Sequence, residues 1–208
     1  MRATGGASAA RHTDPMNDKL TNKKTEILTA LTQMLKQPHA GRITTAALAL
    51  HLNQSEGALY RHFANKAAMF EALISLIETQ LFEDLTHINA TEPDGRQQLR
   101  KQLHALLLFT ERHPGLTRVL TGDALVNEGA ALQARLNELI SDLEILLSHS
   151  AQNAVNARQL AENTDARLYA GLLMDWVLGR WLRYTQTAWQ ALPTDQHAAQ
   201  LDLLGLKA

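Results

Sequence analysis

Residues 42–66 read RITTAALALHLNQSEGALYRHFANK, and their types and order suit contacts to a nucleic-acid duplex rather than chemistry on a small substrate. Thr44 and Thr45 open a short helical segment, where hydroxyls and unpaired backbone N–H groups at a positive dipole end can hold a phosphate. Asn53 and Gln54 then make a turn, because Asn accepts the left-handed backbone that ends a helix. Ser55 can cap a second segment, leaving Gln54, Glu56, Gly57, Ala58 and Tyr60 near base edges. Gly57 and Ala58 are small enough for close backbone approach, and Tyr60, Arg61, His62 and Lys66 can supply phosphate or base contacts. Leu48, Leu52, Leu59 and Phe63 would lock the two helices together. This is the order of a helix-turn-helix; the alternative is a three-helix knot that touches no DNA.

Other chemistry finds little to work with. The 208 residues contain no Cys, which excludes disulfides, thiolate metal sites and a Cys nucleophile, and fits a reducing cytoplasm. Nine His are scattered without an HExxH, and GxSxG, GxGxxG and a Lys-Ser/Thr phosphate loop are all absent. Neither an enzyme, a metal nor a cofactor is expected. The net charge of -1 argues against a basic nucleic-acid binder, but it is unevenly spread. Residues 1–66 carry nine Lys/Arg against four Asp/Glu, a net of +5, and the remainder is correspondingly acidic at -6. Attraction to phosphate is local, screened beyond about 8 Å, so such a chain reads as a polyanion-binding head on an acidic body, or as chance clustering on a solvated surface.

The elements that must position these residues are all helical. Apolar residues recur at helical spacing, and only 5% of the chain is aromatic, which leaves little to build strands. Residues 1–17 are small and polar and are expected to form a mobile arm, residues 18–66 the DNA-binding domain, and residues 67–208 a helical dimerisation and partner-binding body. Ile27, Leu28, Leu31, Met34 and Leu35 mark a first helix that stops before Pro38 and Gly41. Asn65 is expected to cap a long helix through Leu81, and Asp94 with Gln97 resembles a capping box for the next. After the His113-Pro114-Gly115 break, Leu116–Leu120 reads as a short helix and Leu132–Leu147 as a longer one. Ser148 to Asn163 is polar and is expected to be a loop. Arg167–Trp189 is apolar on most sides, so one chain cannot cover it; Leu172, Trp176, Gly179, Arg180 and Arg183 are the candidate dimer interface. Gly171 and Gly179, two turns apart, could admit a partner helix, and Trp176 with Arg180 is spaced either for a cation–π pair or for packing at that seam. A last helix is expected over Thr194–Leu204. No segment reads as membrane-spanning, and the N-terminus has no signal-peptide core.

The 42–66 segment resembles the TetR family, whose pattern is matched by Thr44, Thr45, Leu48, Ala49, Ser55, Gly57, Leu59, Tyr60, His62, Phe63 and Lys66. Asn53 stands where that family usually has a turn Gly, and Gln54 where it has a small apolar residue. The resemblance implies an all-α, TetR-like fold. From about Lys23 onward it narrows to the nucleoid-occlusion members, through RITTAALA, SEGALYRHFANKAAMFEALI and ERHPGLTRVLTGDALV, the last at Glu111 to Val126, with weaker matches at GRWLR and PTD.

That resemblance implies homodimers, one or two to a site, on double-stranded palindromic DNA, acting in the cytoplasm at the nucleoid. When DNA-bound, they would antagonise FtsZ polymers by gripping the FtsZ C-terminal tail, blocking septum assembly. It places the FtsZ surface at Leu76, Asp84, Ala105, Leu108, Arg112 and His113. Arg112 matches the family, which has an aromatic at Leu76, a basic residue at Asp84, a larger apolar residue at Ala105, Gly at Leu108 and Asn at His113. The rival is a ligand-responsive TetR-type repressor, which a deep apolar cavity in the body would favour.

Overall fold

Side-chain caps open five of the nine described helices in the computed structural model, which describes residues 15–37 and 41–207. The helices are α1 (Pro15–Leu35), α2 (Thr45–His51), α3 (Glu56–Tyr60), α4 (Lys66–Thr91), α5 (Gly95–Arg112), α6 (Pro114–Leu120), α7 (Ala130–Asn156), α8 (Ala166–Gln186) and α9 (His197–Leu203). A 3₁₀ turn, Asp123–Leu125, lies between α6 and α7, and no strand occurs among the described residues. Thr44, Ser55, Asn65 and Asp94 each accept a backbone N–H from the first turn of the helix they open. Asn53 adopts φ 52°, the left-handed turn its type suggested. Pro114 starts α6, where its missing N–H costs nothing.

Several boundaries differ from the sequence expectation. Residues 15–17 belong to α1, while residues 1–14 of the expected arm, and Pro38, lie outside the described residues. The capping box is one-sided: Asp94 receives the Gln97 N–H, but the Asp94 N–H goes to Glu92 Oε1 at 3.0 Å. Within the expected loop, helix α7 runs on to Asn156. Its last turns bury Ser150, Ala151 and Ala154, small residues that make no visible apolar stripe. They let α5 come so close that a Cβ on Gly95 would strike the Ala154 backbone. Polar side chains complete this contact: Asn89 Oδ1 accepts from buried Gln102 (2.7 Å) and from Ser150 (3.1 Å), while Asn153 donates to Gln98 (3.2 Å). The last helix begins at His197 because Gln196 turns left-handed, at φ 52°.

One continuous apolar core joins all these helices. Phe70, Leu73, Ile74, Ile77, Leu81 and Leu85 of α4 share this core with Leu99, Leu103 and Leu106 of α5 and the Leu132–Leu147 stripe of α7. Trp181 of α8 is fully buried among them, its indole N–H donating to the Leu106 carbonyl at 3.3 Å. Helix α6 is the bridge to α1: Gly115 lies directly on the Thr32 carbonyl, with no room for a Cβ. No helix among the described residues is long and apolar enough to cross a membrane.

Candidate nucleic-acid and partner interfaces

Helices α2 and α3 cross with Leu48, Ala49, Leu59 and Phe63 buried between them and the core, as the sequence pattern requires. Leu52 is only partly buried at the edge of this contact. The outward side carries a polar cluster. The Thr45 hydroxyl donates to Glu56 Oε2 at 2.5 Å, and the Tyr60 hydroxyl donates to Thr45 Oγ1 at 3.3 Å. The start of α2 and both ends of α3 are thereby fixed relative to one another. Glu56, Gly57, Tyr60 and Arg61 are exposed; around a Cβ on Gly57 only Ser55 Oγ lies within 4 Å. Thr44 and Ser55 spend their hydroxyl oxygens on caps, and Gln54 is half-buried in the turn. His62 is half-buried, with Nδ1 lacking a hydrogen-bond partner among the described residues.

Two of the expected contacts sit differently. Ala58 is buried, because within a five-residue helix it shares the inward side with Leu59. Lys66 is bonded to the carboxylate of Glu128, which is almost wholly buried, and its ammonium lies 5.5 Å from the Phe70 ring centroid. Its charge is therefore spent holding the start of α4 to the loop before α7. Two cations the motif reading missed lie nearby. Arg42 is exposed, 3.9 Å from Glu128, and Lys24 is exposed, 5.7 Å above the Phe63 ring. Only the charge balance of the first 66 residues hinted at them.

Between α4 and α5 a groove of about 220 Å³ is lined by Gln80, Glu83, Asp84, Ala105, Leu108, Phe109, Arg112 and His113. Five of the six expected partner residues meet there. Leu76, the sixth, is exposed on α4 outside this lining. The His113 imidazole is held below its ordinary range by burial and, next, by the Arg112 charge, so it is neutral at pH 7.

On α8, Leu168, Leu172 and Leu182 are exposed, as is Ile145 of α7, and nothing lies within 4 Å of a Cβ on Gly179. Gly171, by contrast, has Glu144 Oε1 at 3.4 Å from such a Cβ. Trp176 and Arg180 do form the cation–π pair, 5.0 Å apart. Both also donate to Gln200 Oε1, at 2.9 and 2.6 Å, and Arg180 reaches the Pro193 carbonyl. They tie down the C-terminal segment; with Gly179, Arg183, Leu192 and Gln196 they line a cavity of about 510 Å³.

Residues 27–73 match the family of bacterial regulatory proteins, tetR family, and residues 94–207 the Tetracyclin repressor-like, C-terminal domain of SlmA-like type. The nucleoid occlusion factor SlmA of Idiomarina loihiensis is 36% identical over 189 residues, covering 91% of this chain and 96% of its own. That of Photobacterium profundum is 40% identical over 183 residues, covering 86% and 91%. The chain belongs to the TetR family, in its SlmA group. The same fold recurs at low identity. Bacillus subtilis FadR, solved with stearoyl-CoA, superposes with TM-score 0.69 at 15% identity, over 86% of this chain and 96% of its own. AibR, solved with isovaleryl coenzyme A and operator DNA, superposes with TM-score 0.64 at 15% identity, over 77% and 86%. Across the SlmA group the likeness includes the helical body, which a shared DNA-binding motif alone would not require.

Proposed function

We propose that this protein is a nucleoid occlusion factor: a homodimer that binds palindromic double-stranded DNA and, when bound, antagonises FtsZ polymers, blocking septum assembly over the nucleoid. The observation that carries this reading is the 36–40% identity to SlmA proteins over more than four-fifths of the chain, body included. In this reading residues 18–66 are the DNA-binding unit and residues 67–208 the dimerisation and partner unit, working in the cytoplasm at the nucleoid.

Helix α3 would lie in the major groove, where Gln54, Glu56 and Gly57 face base edges and Thr45, Tyr60 and Arg61 meet phosphates. The exposed apolar residues of α7 and α8 support pairing of two chains, which sets two recognition helices about 34–36 Å apart on one face of the duplex. The α4–α5 groove would take the FtsZ tail. The interior between α4, α5, α7 and α8 is filled by Leu81, Leu85, Leu103, Leu106 and Trp181, which favours a protein partner over a small apolar effector as the output of the body.

The test is sedimentation of FtsZ with GTP and this protein, with and without a palindromic duplex it binds. Loss of polymer from the pellet only in the presence of duplex is the expected result. Confirmed duplex binding with no effect on the pellet would overturn the proposal.

A further inference from the structure

The two walls of the α4–α5 groove carry opposite charge. On the α4 side stand Glu83 and Asp84, both exposed, together with Gln80, whose Oε1 is buried without a hydrogen-bond donor among the described residues. The charge of this wall is wholly negative. On the α5 side the exposed Arg112 supplies the positive charge, and His113 beside it is neutral at pH 7. Among the described residues none of Glu83, Asp84 and Arg112 forms an ion pair, although they share one groove. No ion pair among the described residues neutralises either wall.

The register of the helix pair separates these charges along the groove. Asn89 accepts from Gln102, so α4 and α5 run antiparallel and Glu83 and Asp84 lie abreast of the Ala105–Leu108 turn. Arg112 is seven residues beyond Ala105, about 10 Å along the helix axis, which an extended peptide spans in about three residues. Between the two poles the surface is apolar, formed by Ala105, Leu108 and Phe109, and the small Ala105 side chain leaves room above it.

We infer that this groove recognises a short peptide of mixed charge, with a Lys or Arg facing Glu83 and Asp84, an apolar side chain over Ala105 and Leu108, and a carboxylate facing Arg112. The site is the one assigned above to FtsZ, and the inference rests on that reading for its place. An all-acidic peptide would meet the two carboxylates of the α4 wall. Like charges there would repel it, whereas a mixed-charge peptide satisfies both walls with charge-assisted hydrogen bonds.

The experiment uses the full-length protein on its DNA duplex and fluorescein-labelled eight-residue peptides, otherwise Gly and Ser, with one central Leu. The flanks carry Lys on one side and Glu on the other, in both orders, or Glu on both sides, or Lys on both. One mixed order should bind about tenfold more tightly than either uniform peptide. The double variant Glu83→Lys, Asp84→Lys should make the all-Glu peptide the best ligand, and the uncharged Leu108→Ser, which removes the apolar seat of the central Leu, should weaken all four. Thermal melting and duplex affinity equal to wild type verify that each variant folds. If the all-Glu peptide binds the wild-type groove as well as either mixed peptide, or the double variant leaves the order unchanged, the inference is overturned.

The C-terminal tail peptide of the same organism's FtsZ, added as competitor, separates this result from the partner reading. A tail that fails to compete while the mixed-charge preference holds contradicts FtsZ as the occupant and leaves the groove chemistry standing. A tail that competes in a groove preferring the all-Glu peptide supports FtsZ and overturns the inference.

Discussion

Thr45, proposed above as a phosphate contact, is also a scaffold residue. Its hydroxyl bridges Glu56 and Tyr60, so both ends of α3 are tied to the start of α2 without any duplex. Tyr60→Ala should remove one phosphate contact and loosen this bridge, weakening binding to any duplex at fixed salt by about 1–2 kcal/mol in a fluorescence anisotropy titration. Gln54→Ala should behave differently, altering preference among duplexes by about 1–3 kcal/mol at the position it reads. If the two variants have the same sequence-independent effect, the docking of α3 is wrong. The placement of Glu56, Gly57, Tyr60 and Arg61 on one exposed side was legible in sequence because the motif fixes order and spacing. Ala58 and Lys66 were not: the facing of a five-residue helix depends on what packs behind it, and the partner of Lys66 is Glu128, more than sixty residues away. Glu128→Gln should leave the Lys66 ammonium poorly paired and cost about 1–3 kcal/mol in urea unfolding. The double variant with Lys66→Met should recover part of that loss, and absence of any recovery would mean the pair is not what holds α4 to the α6–α7 connection.

Close approaches between elements account for what periodicity alone could not reveal. Strong apolar stripes announced α4, α5 and most of α7, and Thr44, Ser55, Asn65 and Asp94 announced four helix starts. The end of α7 was hidden because its buried face is made of Ser150, Ala151 and Ala154, whose value lies in being small beside Gly95. A polar network through Asn89, Gln98, Gln102 and Asn153 finishes that seam, and such residues read as loop when only hydrophobicity is scanned. The other close approach, Gly115 on the Thr32 carbonyl, binds α6 to α1. Gly115→Ala should therefore force these helices apart, lowering stability by about 1–3 kcal/mol through overpacking. Because α1 supports α2 and α3, duplex affinity should fall as well. A variant with wild-type melting temperature and duplex affinity would show that this contact does not hold the DNA-binding helices to the body.

At the scale of the molecule, an acidic helical body and a basic N-terminal part are joined by one apolar core, so a signal in either has packed side chains through which to reach the other. The exposed apolar side of α8, proposed above to pair two chains, was legible as an excess of apolar residues. Its composition was not, since Trp176 and Arg180 turn to the C-terminal segment while Ile145 of α7 joins Leu168, Leu172 and Leu182 on the exposed side. Leu172→Glu with Ile145→Glu should yield monomers in sedimentation velocity and weaken palindrome binding more than half-site binding. Acid should also destabilise the fold. Burial holds the imidazoles of His104 and His113 below their ordinary 6.5, with His197 and Arg112 adding to it respectively. The folded chain then binds fewer protons than the unfolded one, so stability falls as pH drops below about 6.5. Urea midpoints measured from about pH 8 to 5 should decline less steeply in a His104→Gln, His113→Gln variant; an identical slope would contradict the assignment.

The claim that binds these scales together is that DNA binding and partner antagonism occupy separate surfaces of one chain. Arg112→Asp tests it most directly, in an FtsZ pelleting assay with GTP at a duplex concentration that saturates the protein. The variant should bind the palindromic duplex with wild-type affinity and leave FtsZ polymers in the pellet. A variant that still disperses FtsZ as the wild type does would contradict the placement of the partner site in the α4–α5 groove.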